Sequence, residues 1–261
     1  MELKLLEKTA IITGGGRGIG RAISLMFAQE GANVSLAARS VDLMRETSRE
    51  ITALGRRALV NTTDITGVKQ VERMVKRTLK EFGKIDILVN NSGIAGPTKY
   101  VYDVTLEEWD ETFNVNLRGA FLCCRAVVPL MIRQGGGKII NIASISGKRP
   151  LPMRTPYCAT KMGLIGFTRS LASELGKFNI NVNTICPGDV EGPRIDMVIR
   201  NVAKTEKVNE NEVRRRFLSN SPLGRMVSAE DVAKLAVFLA SDDSRNITGE
   251  DINVAAGAVM Y

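Results

Sequence analysis

Two side chains four residues apart, the phenol of Tyr157 and the ammonium of Lys161 in Tyr-Cys-Ala-Thr-Lys, carry the strongest chemical signal in the chain. On a helix that spacing puts them on one face, about a turn apart, where they interact electrostatically. A free phenol has a pKa of about 10, and a fixed positive charge beside it favours the phenolate, bringing proton exchange toward neutral pH. Ser144, thirteen residues earlier, offers a hydroxyl that can hold a reacting oxygen. With a glycine-rich turn opening at Thr13, these features point to hydride-transfer chemistry.

Such groups need a frame. Lys8 to Thr13 is a short apolar strand ending in glycines, and Ile19 to Gln29 has helical periodicity with Gly31 as its stop. The alternation continues with strands at 33–38, 58–61, 85–90, 138–142, 181–185 and 251–254, and helices at 41–54, 68–82, 105–133, 157–177 and 231–240. Continuous apolar strands alternating with helices imply a parallel sheet covered on both faces. Right-handed crossovers then give an α/β, doubly wound sheet of seven strands. No Pro/Ser-rich linker, charge block or repeat interrupts it, so residues 1–261 are expected to form a single domain.

Composition removes several classes of function. The chain has no histidine, which excludes Ser-His-Asp and Cys-His catalysis and takes away the commonest zinc ligand, so no metal site is expected. Cys123, Cys124, Cys158 and Cys186 lack Cys-x-x-Cys spacing and read as packing residues. The first strand starts by Lys8, and no uncharged apolar run reaches membrane-spanning length, so neither a targeting peptide nor a membrane association is expected, and the location is read as cytoplasmic. A formal charge of +8 suits anionic ligands, a phosphorylated dinucleotide or nucleic acid alike. Scattered basic residues and 5% aromatics leave little for base stacking, which argues against nucleic acid.

Thr13-Gly14-Gly15-Gly16-Arg17-Gly18-Ile19-Gly20 lies between the first strand and the first helix, where backbone N–H groups and the helix dipole can receive a pyrophosphate. Gly14, Gly16, Arg17, Gly18, Ile19 and Gly20 are therefore candidate cofactor residues. An acidic residue at the end of the second strand would bind a ribose 2′-hydroxyl; this chain has Arg39 and Ser40 there, with Arg17 in the turn. Two guanidinium groups can bracket a 2′-phosphate, which favours NADP(H) over NAD(H); the weaker alternative is that both are solvated surface cations. Asp64, followed by Ile65, could accept from an adenine amino group or could cap the next helix. Asn91 and Gly93, in Asn-Asn-Ser-Gly, close the fourth strand on the adenosine side or form a plain turn.

These residues resemble the short-chain dehydrogenase/reductase family along essentially the whole chain. Thr-Gly-x-x-x-Gly-x-Gly at 13–20, Asn-Asn-Ser-Gly at 90–93, Ser144, Tyr157-x-x-x-Lys161 and Pro187-Gly188 stand in that family's order and spacing. The resemblance implies a Rossmann-fold NAD(P)-dependent oxidoreductase interconverting alcohols and carbonyls, with a catalytic set of Asn116, Ser144, Tyr157 and Lys161. In that scheme Tyr157 exchanges the proton and Lys161 lowers its pKa and holds the nicotinamide ribose. Ser144 stabilises the alkoxide, and Asn116 holds a water linking Lys161 to solvent. Pro187, Gly188 and Val190 would bind the carboxamide end of the nicotinamide. Gly192 stands where the family usually has threonine, Ser92 replaces a common alanine, and Ala255-Ala256-Gly257 replaces a common Asp-Gly-Gly. The resemblance also implies a homotetramer built through the helices at 105–133 and 157–177 and the last strand.

Residues 190–221 occupy the family's substrate-lid position and carry seven basic residues against five acidic ones, including Arg214-Arg215-Arg216. An anionic substrate is one reading and a solvated helical face is the other. A 3-oxoacyl-carrier-protein reductase is a further reading, although Gly135 and Phe178 stand where those enzymes tend to carry basic docking residues; Arg133 and Lys177 are nearby. Sugar, polyol, hydroxy-acid and dihydrodiol substrates stay open, as does a non-enzymatic NADP-binding sensor.

Overall fold

The computed structural model describes residues 3–261. Strands β1 (Thr9–Thr13), β2 (Asn33–Ala38), β3 (Ala58–Thr62), β4 (Ile87–Asn90), β5 (Gly137–Ile142), β6 (Ile180–Pro187) and β7 (Asp251–Val254) form one sheet in the order β3-β2-β1-β4-β5-β6-β7. All six pairings are parallel. Alternation along β1 shows why both faces must be covered. Ala10 and Ile12 point into one core with Phe27, Leu36 and Met44, whereas Ile11 joins Met74, Leu88 and Val127 on the other side.

Helices α1 (Gly18–Gln29), α2 (Val41–Ala53) and α9 (Ala229–Ala240) supply the first face. The second face takes α3 (Val68–Phe82), α5 (Gly119–Gln134) and α6 (Thr155–Leu175). Strand order reverses between β1 and β4, so the loops after these neighbours diverge and open a crevice at their carboxyl ends, where the candidate residues gather.

The helix expected over 105–133 is interrupted. It consists of α4 (Leu106–Phe113), a π-helical turn at Asn114–Arg118, and α5. The Asn116 amide grips the main chain of Ile94, and Gly119 packs directly on Ile65, where any side chain would collide. A π turn fits one extra residue into the helix and so reconciles these two anchors. The stretch Leu106–Gln134, 29 residues, is long and apolar enough to cross a membrane by length and composition. It carries Arg118 and Arg125, and Leu122, Cys123, Val127 and Met131 are buried in the core beside the sheet.

The polar 190–221 segment is two helices, α7 (Pro193–Glu206) and α8 (Glu210–Ser219), with α9 beginning soon afterwards. Ile195, Val198, Ile199, Ala203 and Val213 form a small core of their own with Met226. Arg214 pairs with Asp196, and Arg216 pairs with Glu206 and Glu212, so these cations are used inside the lid.

Candidate active site

The glycine turn is shaped by a close approach of backbone to backbone. A Cβ on Gly20 would strike the carbonyl of Gly14, and Gly14 itself has φ of +69°, a left-handed conformation that favours glycine. The turn therefore brings main chain without side chains to the head of α1, with the Gly14 amide donating to the Ala37 carbonyl at 2.7 Å. Gly16 packs against the main chain of Leu43, and Ile19 rests on the core. Thr13 fastens the turn to β4, its hydroxyl accepting from the amides of Asn91 and Ser92 at 2.9 and 3.0 Å. The Asn91 side chain donates back to the Thr13 carbonyl at 2.9 Å, so it braces the crevice.

Arg17, Gly18, Arg39 and Ser40 are exposed on one rim, and neither arginine has an ion-pair partner among the described residues. Asp64 divides its bonds: Oδ1 accepts from the Thr66 amide and hydroxyl at 2.9 and 2.8 Å. These bonds hold its carboxyl below the usual range, and nearby Arg39 adds to the effect. Asp64 thus serves the turn before α3, close enough to Arg39 to feel its charge. Ile65 is buried against Gly119, so only its main chain is available to a ligand.

On the other rim the structure brings Asn116, Ser144, Tyr157 and Lys161 together at the ends of β4 and β5. Pro156 sits in the first turn of α6, where its missing N–H costs nothing, and the helix carries Tyr157 and Lys161 on one face. Lys161, 4% exposed, donates to the Ile142 carbonyl at 2.8 Å, and its ammonium lies 5.7 Å from the centre of the Tyr157 ring. Asn116 Oδ1 accepts from the Ile94 amide at 2.8 Å, and Nδ2 donates to the Ile94 carbonyl and to Thr160. Its side chain is thus committed to fixing the loop after β4. Gly93 lies under it, since a Cβ there would come to 3.0 Å from Asn116 Oδ1 and 3.7 Å from Lys161 Nζ.

Burial opposes ionisation of Tyr157 and is the largest single influence, yet the phenol is held below its usual range. Lys161 contributes most to that lowering, followed by Arg194, the Ser144 hydroxyl and Arg154. Burial likewise depresses Lys161, with Tyr157 opposing and Arg194 reinforcing. The arrangement can hand a proton to, or take one from, an oxygen at the crevice mouth.

Pro187 ends β6, and Gly188 is pressed against Ala255 so closely that a Cβ would meet it at 2.9 Å. Val190 bridges to Val227, with Asp189 and Glu191 making the flanking main-chain bonds. Burial pushes the Asp189 carboxyl up to about 6, against the pull of Arg149.

Two residues at the site were absent from the sequence-based set. The guanidinium of Arg154 lies 5.0 Å from the centre of the Tyr157 ring and that of Arg194 lies 5.9 Å from it. Arg154 is the N-cap of α6, with non-helical backbone angles, three residues before Tyr157 and outside the helix expected over 157–177. Arg194 lies on the first turn of α7, and no local spacing links it to Tyr157.

The family model described as enoyl-(acyl carrier protein) reductase matches residues 14–259. The chain is 38% identical over 258 residues to a 3-oxoacyl-[acyl-carrier-protein] reductase FabG of Thermotoga maritima, covering 99% of this chain and 100% of that one. It is 40% identical over 259 residues to a galactitol 2-dehydrogenase of Agrobacterium fabrum, covering 99% and 100%. Among solved structures, an NAD+-bound xylitol dehydrogenase superimposes with a TM-score of 0.93 at 30% identity, covering 97% of this chain and 100% of that one. An actinorhodin polyketide ketoreductase variant with NADPH gives a TM-score of 0.93 at 32% identity, covering 97% and 98%. The chain belongs to the short-chain dehydrogenase/reductase family, and is an oxidoreductase of the Rossmann fold acting on alcohols and carbonyls.

Proposed function

We infer that the protein is an NADP(H)-dependent oxidoreductase interconverting a secondary alcohol and a carbonyl, with Tyr157 as the general acid and base. The observation that carries this reading is the Tyr157 phenol, beside the Lys161 ammonium and held below its usual range by it and other cations, on the rim opposite the glycine turn. When bound, the dinucleotide supplies or accepts the hydride. In reduction Tyr157 gives its proton to the carbonyl oxygen while Ser144 steadies the developing alkoxide; in oxidation the phenolate takes the proton back. Lys161 keeps the phenol acidic and, with protons left after its bond to Ile142, can hold the nicotinamide ribose. Asn116 positions the Ile94 loop beside Lys161. Gly14, Gly16, Gly18, Ile19 and Gly20 would cradle the pyrophosphate, with Asp64, Ile65, Asn91 and Gly93 around the adenosine and Pro187, Gly188 and Val190 at the carboxamide.

The coenzyme preference rests on Arg17 and Arg39, exposed on one rim without ion-pair partners among the described residues. A 2′-phosphate would satisfy both. Assembly as a homotetramer is part of the same reading, supported by the apolar surface that α5 and α6 leave exposed at Phe121 and around Phe167 and Leu171. The relatives suggest two narrower substrates, a 3-oxoacyl thioester and a polyol. Gly135 and Phe178 stand where carrier-protein reductases tend to carry basic docking residues, which counts against the first, although Arg133 and Lys177 are exposed close by.

Initial rates with a panel of ketones, acyl thioesters and polyols, followed at the nicotinamide absorbance band with each coenzyme, test the reading. NADPH is expected to exceed NADH in kcat/KM by about tenfold or more, and Arg39→Ala to narrow that ratio. Turnover with neither coenzyme, or a preference for NADH, would overturn it.

A further inference from the structure

Three cations converge on the Tyr157 ring: Lys161, Arg154 and Arg194. Lys161 is committed to the phenol and to the Ile142 carbonyl. Arg154 is unusual. Only 3% of it is exposed, its Nη2 donates to the Ala95 carbonyl at 2.7 Å, and its buried Nε has no partner. Arg194 is exposed at the lid's first turn and reaches across the mouth to the Gly93 carbonyl at 3.3 Å. No carboxylate lies within ion-pair distance of either guanidinium among the described residues, although the neighbouring lid arginines Arg214 and Arg216 are paired. A guanidinium cannot shed its proton to escape burial, so an unpaired one at this depth is costly unless a ligand brings the counter-charge.

Resting on the dehydrogenase reading above, we propose that the substrate bears an oxyanionic group, a carboxylate, sulfonate or phosphate, close to its reacting carbon, and that Arg154 receives it from the floor while Arg194 closes on it from the lid. The Arg154 guanidinium is fixed by the Nη2 bond to Ala95 and its Nε is unpartnered, so it keeps donors and a whole charge uncommitted to any protein group. Its closeness to the Tyr157 ring sets the anion beside the carbinol carbon and not at the end of a long tail. The substrate is then a short hydroxy or oxo acid, a different class from a polyol or an acyl thioester. In its oxidation the carbinol C–H bond breaks with its electron pair going to the nicotinamide, the hydroxyl proton goes to the Tyr157 phenolate, and the anion is unchanged.

The test compares 3-hydroxybutyrate, 2-hydroxypropanesulfonate and glycerol 3-phosphate with methyl 3-hydroxybutyrate, for wild type, Arg154→Gln, Arg154→Lys and Arg194→Gln. At least one of the anions should exceed the neutral ester in kcat/KM by about 100-fold in the wild type, and which one does so identifies the group. Arg154→Gln should collapse that ratio toward one, Arg154→Lys should recover it only in part, and Arg194→Gln, an exposed change that leaves the floor intact, should lower it. Calorimetry of acetoacetate, propane-2-one-1-sulfonate and dihydroxyacetone phosphate with the enzyme–NADP+ complex gives a reading independent of turnover, with the Kd of the preferred anion raised about tenfold or more by Arg154→Gln. A neutral ester turned over as well as every anion, or an Arg154→Gln that slows both alike with the ratio kept, would overturn the proposal while leaving the dehydrogenase intact. Arg154-dependent anion binding without turnover of any alcohol would do the reverse.

Discussion

A phenol is a poor acid at neutral pH, and burial makes it poorer; Tyr157 is held below its ordinary range because cations surround it. The order of influence after burial, Lys161 then Arg194, gives a prediction with a definite sign. Removing a cation destabilises the phenolate, so Arg194→Met should raise the apparent pKa of the Tyr157 limb in the pH profile of alcohol oxidation. A neutral alcohol should be used, so that loss of anion binding does not enter. The limb moves to higher pH if Arg194 acts on the phenol through space, and stays in place if it does not. The Tyr157–Lys161 pair was legible in the sequence because four-residue spacing on a helix fixes a shared face. Arg154 carried no such signal, because it stands just before the helix with non-helical backbone angles and its place beside the ring depends on the turn that leads into α6. Arg194 was not legible, because its place depends on how the lid folds back over β4.

Elements explain which of these residues could be positioned at all. The strands were readable as continuous apolar runs because a sheet buried on both faces needs no alternation with polar residues. The π turn at Asn114–Arg118 was hidden, since it arises from the grip of Asn116 on Ile94 and the seat of Gly119 on Ile65, both distant in sequence. The lid was read as a polar insertion, yet Ile195, Val198 and Ile199 stand at helical spacing and make its core with Val213. Charges that pair within the lid masked that stripe. At the glycine turn the constraint is steric. Gly20→Ala would drive a methyl into the Gly14 carbonyl, with an expected cost of about 1–3 kcal/mol in stability. Its melting temperature should fall and its NADPH affinity should weaken by about tenfold, measured by thermal unfolding and by nucleotide fluorescence. An alanine variant that melts and binds like the wild type would mean that the turn has room for the methyl group.

The whole molecule joins two rims across one crevice. Sheet order places the β1 and β4 loops side by side, Thr13 and Asn91 lock them, and α6 carries Tyr157 and Lys161 to the same opening. The net charge of +8 has its local counterpart there, with Arg17 and Arg39 on the outer rim and Arg154, Lys161 and Arg194 on the inner. Both fields suit anions, and a phosphorylated dinucleotide and an acidic substrate would meet between them. The most direct measurement of the central claim is Tyr157→Phe, assayed for NADPH binding by fluorescence and for turnover in both directions. Turnover should fall by about 10³-fold or more while NADPH affinity stays within about threefold of wild type. A phenylalanine enzyme that still turns over near the wild-type rate would contradict the account.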